Sequence, residues 1–229
     1  MIYAQIGRLA GWTHIFGLVD QDFGTSNRQH WAALGPAERV YRLDVHEFEN
    51  LLLDSAALAE CLLDTGKRTA SEIDARLEVA AASRTWWVAC VQFLAETRRD
   101  ATAGFPPDPG SIASLADAEA YINRSSWFSQ TATRCPALAD PAAVSLALKK
   151  AHGTATTALA SGSWKMSFPG KQLFREISGY VHQNAGAGAR IDLVKAVGAW
   201  QRDHALPPQA RELHRAIQTR ITPTSTATP

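Results

Sequence analysis

Two short apolar runs, each ending in a group of carboxylates, place the strongest constraint on the fold of this chain. The first runs from His14 to Val19 and is followed by Asp20 and Asp22, before the turn-forming residues of "FGTSN". Short apolar runs bounded by turn residues are typical of buried strands. The sequence therefore predicts a strand that ends in two aspartates, preceded by a short helix over residues 2–11.

A second acidic group follows the next predicted strand. The apolar residues that mark this strand are Val40, Leu43 and Val45, and "HEFENLLLDSAALAECLL" is expected to continue as a helix. Asp44, Glu47 and Glu49 lie where the strand gives way to that helix. The carboxyl ends of parallel strands meet at one edge of a sheet. If the two strands are parallel neighbours, both acidic groups share that edge.

The rest of the chain has helical periodicity. A long alanine-rich helix is predicted from Thr69 or Ser71 to about residue 101, and we expect it to stack on the sheet. The prolines in 104–112 predict a loop there, and "SGSWKMSFPGK" is predicted to form a second loop. Shorter helices are predicted over 114–126, 141–151, 171–185, 190–204 and 208–221.

These elements define the expected fold class and domain organisation. The class is α/β, with a partial parallel sheet followed by a mainly α-helical extension. The boundaries are 1–66 for the α/β segment, 67–221 for the helical extension and 222–229 for a disordered tail, which is poor in apolar residues.

Charge and cysteine content narrow the functional classes. The 23 Lys plus Arg and 22 Asp plus Glu give a net charge of +1, so no broad electrostatic footprint for nucleic acid or anionic lipid exists. The three cysteines are widely spaced, which argues against a disulfide framework or structural zinc. The beginning of the chain does not resemble a signal peptide, and we expect a cytoplasmic protein.

The acidic groups predict a site for a hard divalent cation. Carboxylate oxygens are the ligands that Mg²⁺ prefers, and Asp20, Asp22 and Glu49 are the candidate metal ligands. Two other interpretations stay open. The aspartates have the residue type that opens turns, and Glu47 and Glu49 have the charge that favours the first turn of a helix.

Three segments together resemble a known family. "FGLVDQDF", "VYRLDVHEFENLLLD" and the later "W…GKQLF" are similar to the TOPRIM domains of overcoming-lysogenization-defect (OLD) nucleases and of DUF4435 proteins. The matching residues are Asp20 and Asp22 for the DxD element, Glu47, Glu49 and Asn50 for an E-x-E-N element, and Trp164, Gly170 and Lys171 downstream. The resemblance covers about residues 2 to 218 and is most specific between 16 and 53.

The resemblance implies a nuclease dependent on Mg²⁺ or Mn²⁺, with Asp20, Asp22, Glu47, Glu49 and Lys171 as catalytic residues. It also implies a nucleic-acid substrate, DNA rather than RNA, an ATPase partner of the ABC or AAA type, and a role in anti-phage defence. The Lys171 ammonium is expected to offset charge on the phosphate, or else to be a solvated first-turn residue.

The chain departs from the family at one point. TOPRIM domains begin with a strand that ends in a catalytic glutamate, and no acidic residue precedes Asp20. We expect a preceding segment, another polypeptide, or Glu47 or Glu49 to do that work, and self-association or a partner at the exposed sheet edge.

Two other functional classes stay open. One is a catalytically degenerate TOPRIM-like module that binds an ATPase partner or nucleic acid. The other is a phosphatase of the haloacid-dehalogenase type, because "DQDFGTS" is similar to its DxDGT start, although Phe23 interrupts that motif.

Overall fold

A computed structural model describes residues 17–20, 31–32, 40–61, 68–97, 108–124, 140–181 and 187–221. The predicted helix over 2–11, Asp22, Cys135 and the tail 222–229 lie outside the described residues. None of the described helices is long and apolar enough to cross a membrane.

A small sheet carries the predicted parallel pair. Its strands are β1 (Gly17–Val19), β2 (Trp31–Ala32) and β3 (Val40–Arg42), in the order β1-β3-β2. β1 and β3 are parallel, with Leu18 opposite Tyr41, and β2 is antiparallel to β3. The predicted parallel pairing is confirmed. The regular strand ends at Arg42, although Leu43 and Val45 beyond it are still buried.

The remaining described chain is mainly helical. The α-helices are α1 (Ser55–Glu60), α2 (Ala70–Ala82), α3 (Thr85–Thr97), α4 (Leu115–Arg124), α5 (Pro141–Ser161), α6 (Trp164–Ser167), α7 (Gly170–Val181), α8 (Ala187–Asp203) and α9 (Pro208–Ile221). Short 3-10 helices cover Phe48–Leu52 and Pro109–Ser111. The predicted α/β class is confirmed, because a small sheet that contains a parallel pair of strands is followed by helices.

The boundaries of several helices differ from prediction. The helix expected over "HEFENLLLDSAALAECLL" is divided at Leu53 and Asp54, because Asp54 caps α1 by accepting the backbone N–H groups of Ala56 and Ala57. The helix expected from Thr69 is divided into α2 and α3 at Ser83 and Arg84. The predicted loop before Lys171 contains α6, and α5 extends to Ser161 instead of ending near 151.

The long helical segment does not build the core of the sheet. The buried residues of α2 and α3, such as Leu77 and Leu94, belong to a helical core that also includes Leu58 and Ile177. Tyr41, Leu43 and Val45 form a separate cluster, covered by Leu51 together with Leu213 and Ala216 of α9. The prediction that 69–101 stacks on the sheet is therefore wrong, since the last helix takes that place.

Aromatic and cysteine residues in the helices, or next to them, pack in or against the helical core. Trp87 is buried, and Trp86 is half-buried with its ring stacked on His152 at 3.8 Å between centroids. Cys61 and Cys90 are free thiols, and burial raises the pKa of Cys90 to about 12. A thiol protonated at neutral pH is a poor nucleophile and metal ligand.

The side-chain contacts at the N-terminal cap of α2 can be tested by mutation. Thr69 Oγ1 accepts the Glu72 N–H at 3.2 Å, and Glu72 Oε2 accepts the Thr69 N–H at 2.7 Å. We expect Thr69→Ala to lower the free energy of unfolding by about 1 kcal/mol, because it leaves a first-turn N–H without its acceptor. Urea denaturation measures the change. Thr156→Ala, inside α5, is the matched control and should be neutral or slightly stabilising; equal losses in both variants would contradict the capping role.

Candidate active site

The parallel pairing brings Asp20 to the acidic end of β3. The Leu43 N–H donates to the Val19 carbonyl at 2.9 Å, so the ladder continues to the ends of both strands. Asp20 Oδ1 then accepts the backbone N–H of Phe48 at 3.0 Å. Asp20 is exposed and lies beside the first turn of the 48–52 helix. Asp20, from the first acidic group, therefore lies at the same edge as Glu47, from the second.

Glu47 joins this edge to a segment far along the chain. Its Oε2 accepts the backbone N–H of Lys171 at 2.6 Å, across 124 residues of sequence. Lys171 lies in the first turn of α7, where backbone N–H groups lack helical acceptors and the helix dipole favours a negative charge. The contact to Glu47 is therefore made by the Lys171 backbone rather than by its ammonium group.

The environment of Glu47 favours its protonated form. Burial raises the pKa of Glu47 above its usual value, and the N–H and charge of Lys171 offset part of that rise. The negative charges of Glu49 and Asp20 raise the Glu47 pKa further. Like charges close together disfavour each other's ionisation. Glu47, Glu49 and Asp20 are thus close enough to interact electrostatically.

Asn50 holds the 48–52 helix against the connection between α6 and α7. Its Oδ1 accepts the Glu47 N–H at 2.7 Å, as the third residue of a capping box does. Its Nδ2 donates to the carbonyls of Lys165 at 2.8 Å and Phe168 at 2.7 Å. The buried amide thus binds the N-cap of the 48–52 helix on one side and the α6–α7 connection on the other.

Gly170 permits this close approach. A Cβ atom at Gly170 would lie 2.5 Å from both the backbone N and the Oδ1 of Asn50. The first of these is a backbone atom, which cannot move away as a flexible side chain does. Only glycine fits here without displacing α7 from the 48–52 helix.

Further contacts hold the α6–α7 connection in place. Trp164 and Phe168 are buried in the helical core, and the His46 N–H donates to the Met166 carbonyl at 2.7 Å. Lys165 forms an ion pair with Asp74, which also accepts the Ser55 hydroxyl. Burial alone would raise the pKa of Asp74, but the hydrogen bonds from Lys165 and Ser55 lower it overall. The connection is thus anchored by apolar burial and by charge.

The structure brings together part of the predicted site. Asp20, Glu47 and the backbone of Lys171 are in one hydrogen-bonded region, with Glu49 interacting through its charge, whereas Asp22 lies outside the described residues. Within the described part of the chain, no three His, Cys, Asp or Glu side chains are grouped so as to hold a metal ion. The proposed ligand set of Asp20, Asp22 and Glu49 stays a prediction.

Sequence reasoning missed the structural partners of these residues. Asn50 was matched to a family element without a structural role, and the ion pair of Lys165 with Asp74 was not predicted. The Glu47–Asn50 spacing at a strand-to-helix junction was the available signal, because an amide three residues after a helix N-cap can accept the N–H of the cap residue. The carbonyls that Asn50 also binds lie 115 and 118 residues away, and no local pattern indicates them.

Gly170 provides a test of the close approach. Gly170→Ala should lower the free energy of unfolding by about 1–3 kcal/mol, because the added Cβ overlaps the Asn50 backbone. Gly153→Ala is the control, since a Cβ there meets nothing within 4 Å and alanine favours the helix by about 0.5–1 kcal/mol. Urea denaturation of both variants measures the difference. A Gly170→Ala protein as stable as Gly153→Ala would contradict the contact.

Glu47 provides a test by pH. Its folded-state pKa is raised above the usual 4.5, so ionisation on going above that pH costs stability in the folded state. Glu47→Gln should therefore gain stability over the wild type as pH rises from 4.5 through the raised pKa, and the difference should vanish at lower pH. Thermal unfolding in EDTA across this range is the measurement.

Glu72→Gln is the control of opposite sign. Hydrogen bonds from Thr69 lower the pKa of Glu72, so its ionised form stabilises the fold above its pKa and that stability is lost as pH falls. We expect Glu72→Gln to be less stable than the wild type at neutral pH. If Glu47→Gln were also less stable than the wild type at neutral pH, that result would contradict the cost of the buried Glu47 charge.

Comparisons with protein-family models, with curated protein sequences and with solved structures found no match to this chain.

Proposed function

We propose that the chain is a TOPRIM-like module that cleaves phosphodiester bonds of nucleic acid with Mg²⁺ or Mn²⁺. The observation that carries this proposal is the hydrogen bond from the Lys171 backbone to Glu47 at the carboxyl ends of β1 and β3. It joins the E-x-E-N and the W…GK elements of the resemblance, which are far apart in sequence. Independent segments that resemble one family and meet at one sheet edge support a shared site.

The carboxylates present suit a hard divalent cation. Asp20 uses one oxygen for a backbone N–H, which leaves its second oxygen as a candidate ligand. The like charges of Asp20 and Glu49 raise the pKa of Glu47, and a cation at this edge would relieve that repulsion. Asp22 and Glu49 complete the proposed ligand set.

A bound cation would supply Lewis-acid polarisation of the phosphate and a nucleophilic water at neutral pH. The residues of the chain would orient the substrate. In this proposal Glu47, with its raised pKa, accepts a proton from water more readily than an ordinary glutamate does. The exposed Lys171 side chain follows the Glu47 contact directly and would offset charge on the phosphate. DNA as substrate, self-association, and an ATPase partner in an anti-phage system are proposed on the resemblance alone.

A non-catalytic module is the second candidate function. The observation in its favour is that Asp20 and Glu47 already accept backbone N–H groups at the beginnings of two helices. Side-chain oxygens in such positions satisfy first-turn N–H groups without a metal. On this view the same edge binds an ATPase partner or nucleic acid without cleaving it.

Nicking of supercoiled plasmid with Mg²⁺ or Mn²⁺ tests the proposal. Asp20→Asn and Asp22→Asn should each lower the cleavage rate by about 100-fold or more, since each removes a ligand charge at the metal. Asp192→Asn, an exposed substitution in α8, is the matched control and should cleave as the wild type does. Unchanged cleavage by Asp20→Asn would overturn the site assignment.

The same proteins decide between the two candidate functions. If the wild type binds a divalent cation, its melting temperature should rise on addition of Mn²⁺, and more at higher pH, because Glu47 must lose its proton. An unmoved melting temperature together with no nicking would favour the non-catalytic module.

A further inference from the structure

A cavity of about 590 Å³ lies between α2, the turn before α3, the 108–109 turn and α7. Three arginines line it: Arg76 of α2, Arg84 of the turn between α2 and α3, and Arg175 of α7. The carboxylates in its lining are Asp108 and Glu176, so the charge of the lining is net positive. Asp108 Oδ1 is occupied by the Gly110 N–H at 2.9 Å. A volume of this size is typical of sites for small ligands or for part of a larger one.

Two of the arginines share a single carboxylate. Arg76 contacts Glu176 Oε1 at 2.5 Å, and Arg84 contacts Glu176 Oε2 at 3.1 Å. Arg84 is further fixed by a hydrogen bond to the Ala80 carbonyl at 2.6 Å, while its buried Nε has no acceptor within the described part of the chain. Each guanidinium group carries five N–H donors, so Arg76 and Arg84 keep donors for an additional anion apart from the buried Arg84 Nε.

Arg175 is the third cation, and it is exposed. It forms an ion pair with no described residue, and it lies one helical turn after Lys171 on α7. At 1.5 Å per residue, Arg175 is about 6 Å along the helix axis from Lys171, and Tyr180 is about 14 Å from it. Side chains four residues apart lie on the same helix face. The positive charges of Lys171 and Arg175 therefore extend along α7 from the Glu47 contact to this cavity, which we call the arginine cavity after Arg76, Arg84 and Arg175.

An aromatic group completes the cavity wall. The guanidinium carbons of Arg68 and Arg76 lie 4.8 Å and 5.6 Å from the centre of the Tyr180 ring. Tyrosine rings and arginine planes are the groups on which unpaired bases stack in sites for single strands. Phosphate-binding cations beside such planes are more typical of a nucleic-acid strand than of an inorganic anion.

We propose that α7 and the arginine cavity bind consecutive phosphates of a single nucleic-acid strand, with one end of that strand directed to the Asp20–Glu47 edge. This inference rests on the proposed function for the choice of a nucleic acid as ligand. It adds the path of the substrate and names Arg175 as a substrate-binding residue. Arg76 and Arg84 bind within the cavity, and Glu176 limits their attraction for phosphate.

Binding of a fluorescein-labelled single-stranded DNA 20-mer, followed by anisotropy in EDTA, tests the path without cleavage. Loss of one phosphate contact lowers the salt slope by about 0.7, so Arg175→Gln should weaken binding about fivefold at 0.1 M salt. Lys149→Gln on α5, which does not line the cavity, removes one exposed charge and should leave binding unchanged. Equal binding by Arg175→Gln and Lys149→Gln would overturn the proposal.

A variant with the opposite expected effect separates binding from damage to the fold. Glu176→Gln keeps an acceptor for the arginines but removes the negative charge, so it should tighten DNA binding several-fold and steepen the salt dependence. A Glu176→Gln protein that folds as the wild type does but binds DNA more weakly would overturn the proposal. So would full displacement of the 20-mer by an equal concentration of inorganic phosphate or of a mononucleotide.

Plasmid nicking and DNA binding together distinguish the strand path from catalysis. If the wild type nicks no plasmid but Arg175→Gln still weakens DNA binding, the strand path stands without catalysis. If the wild type cleaves and Arg175→Gln binds DNA as the wild type does, cleavage stands and the path is overturned.

Discussion

The arrangement of Asp20, Glu47 and Glu49 at the edge of the sheet, the acidic edge, depends on the hydrogen bonds of the Asn50 side-chain amide. Its oxygen accepts one backbone N–H beside β3, and its nitrogen donates to two carbonyls of the α6–α7 connection. An aspartate at this position would direct a second oxygen at those carbonyls, and a leucine would leave three backbone groups without these partners. The requirement for an acceptor and two donors in one short side chain selects asparagine at this position.

The carboxylates near Asn50 occupy positions that follow from this contact. With α7 held against the 48–52 helix, the first-turn N–H of Lys171 reaches Glu47, and the N–H of Phe48 reaches Asp20. Burial and neighbouring negative charge then raise the pKa of Glu47. A fold stabilised by Asn50, Trp164 and Phe168 offsets the cost of holding these like charges together.

Local patterns in the sequence predicted the features that depend on neighbouring residues. The positions of β1 and β3, the cap at Thr69 and the positions of the later helices follow from apolar spacing, capping residues and prolines, whereas the parallel pairing was expected from the α/β class. The division of 69–101 at Ser83 and Arg84 was not predicted, since no proline or glycine marks it. Its position is instead associated with contacts to distant residues, such as the pairing of Arg84 with Glu176 across 92 residues. For the same reason, the pairing of Arg84 with Glu176 was not predicted.

Helix α7 links the contacts that the sequence did not reveal. Its N-terminus meets Glu47, its buried residues Leu173, Phe174 and Ile177 pack in the helical core, and its polar face lines the arginine cavity. These three surfaces belong to one rigid helix of 12 residues, so their relative positions are fixed by helical geometry. A shift of α7 that opened the gap at Gly170 would move Lys171 away from Glu47 and would also move Glu176 relative to Arg76 and Arg84. The acidic edge and the arginine cavity are therefore mechanically coupled, and a strand that bound both would stabilise the same position of α7.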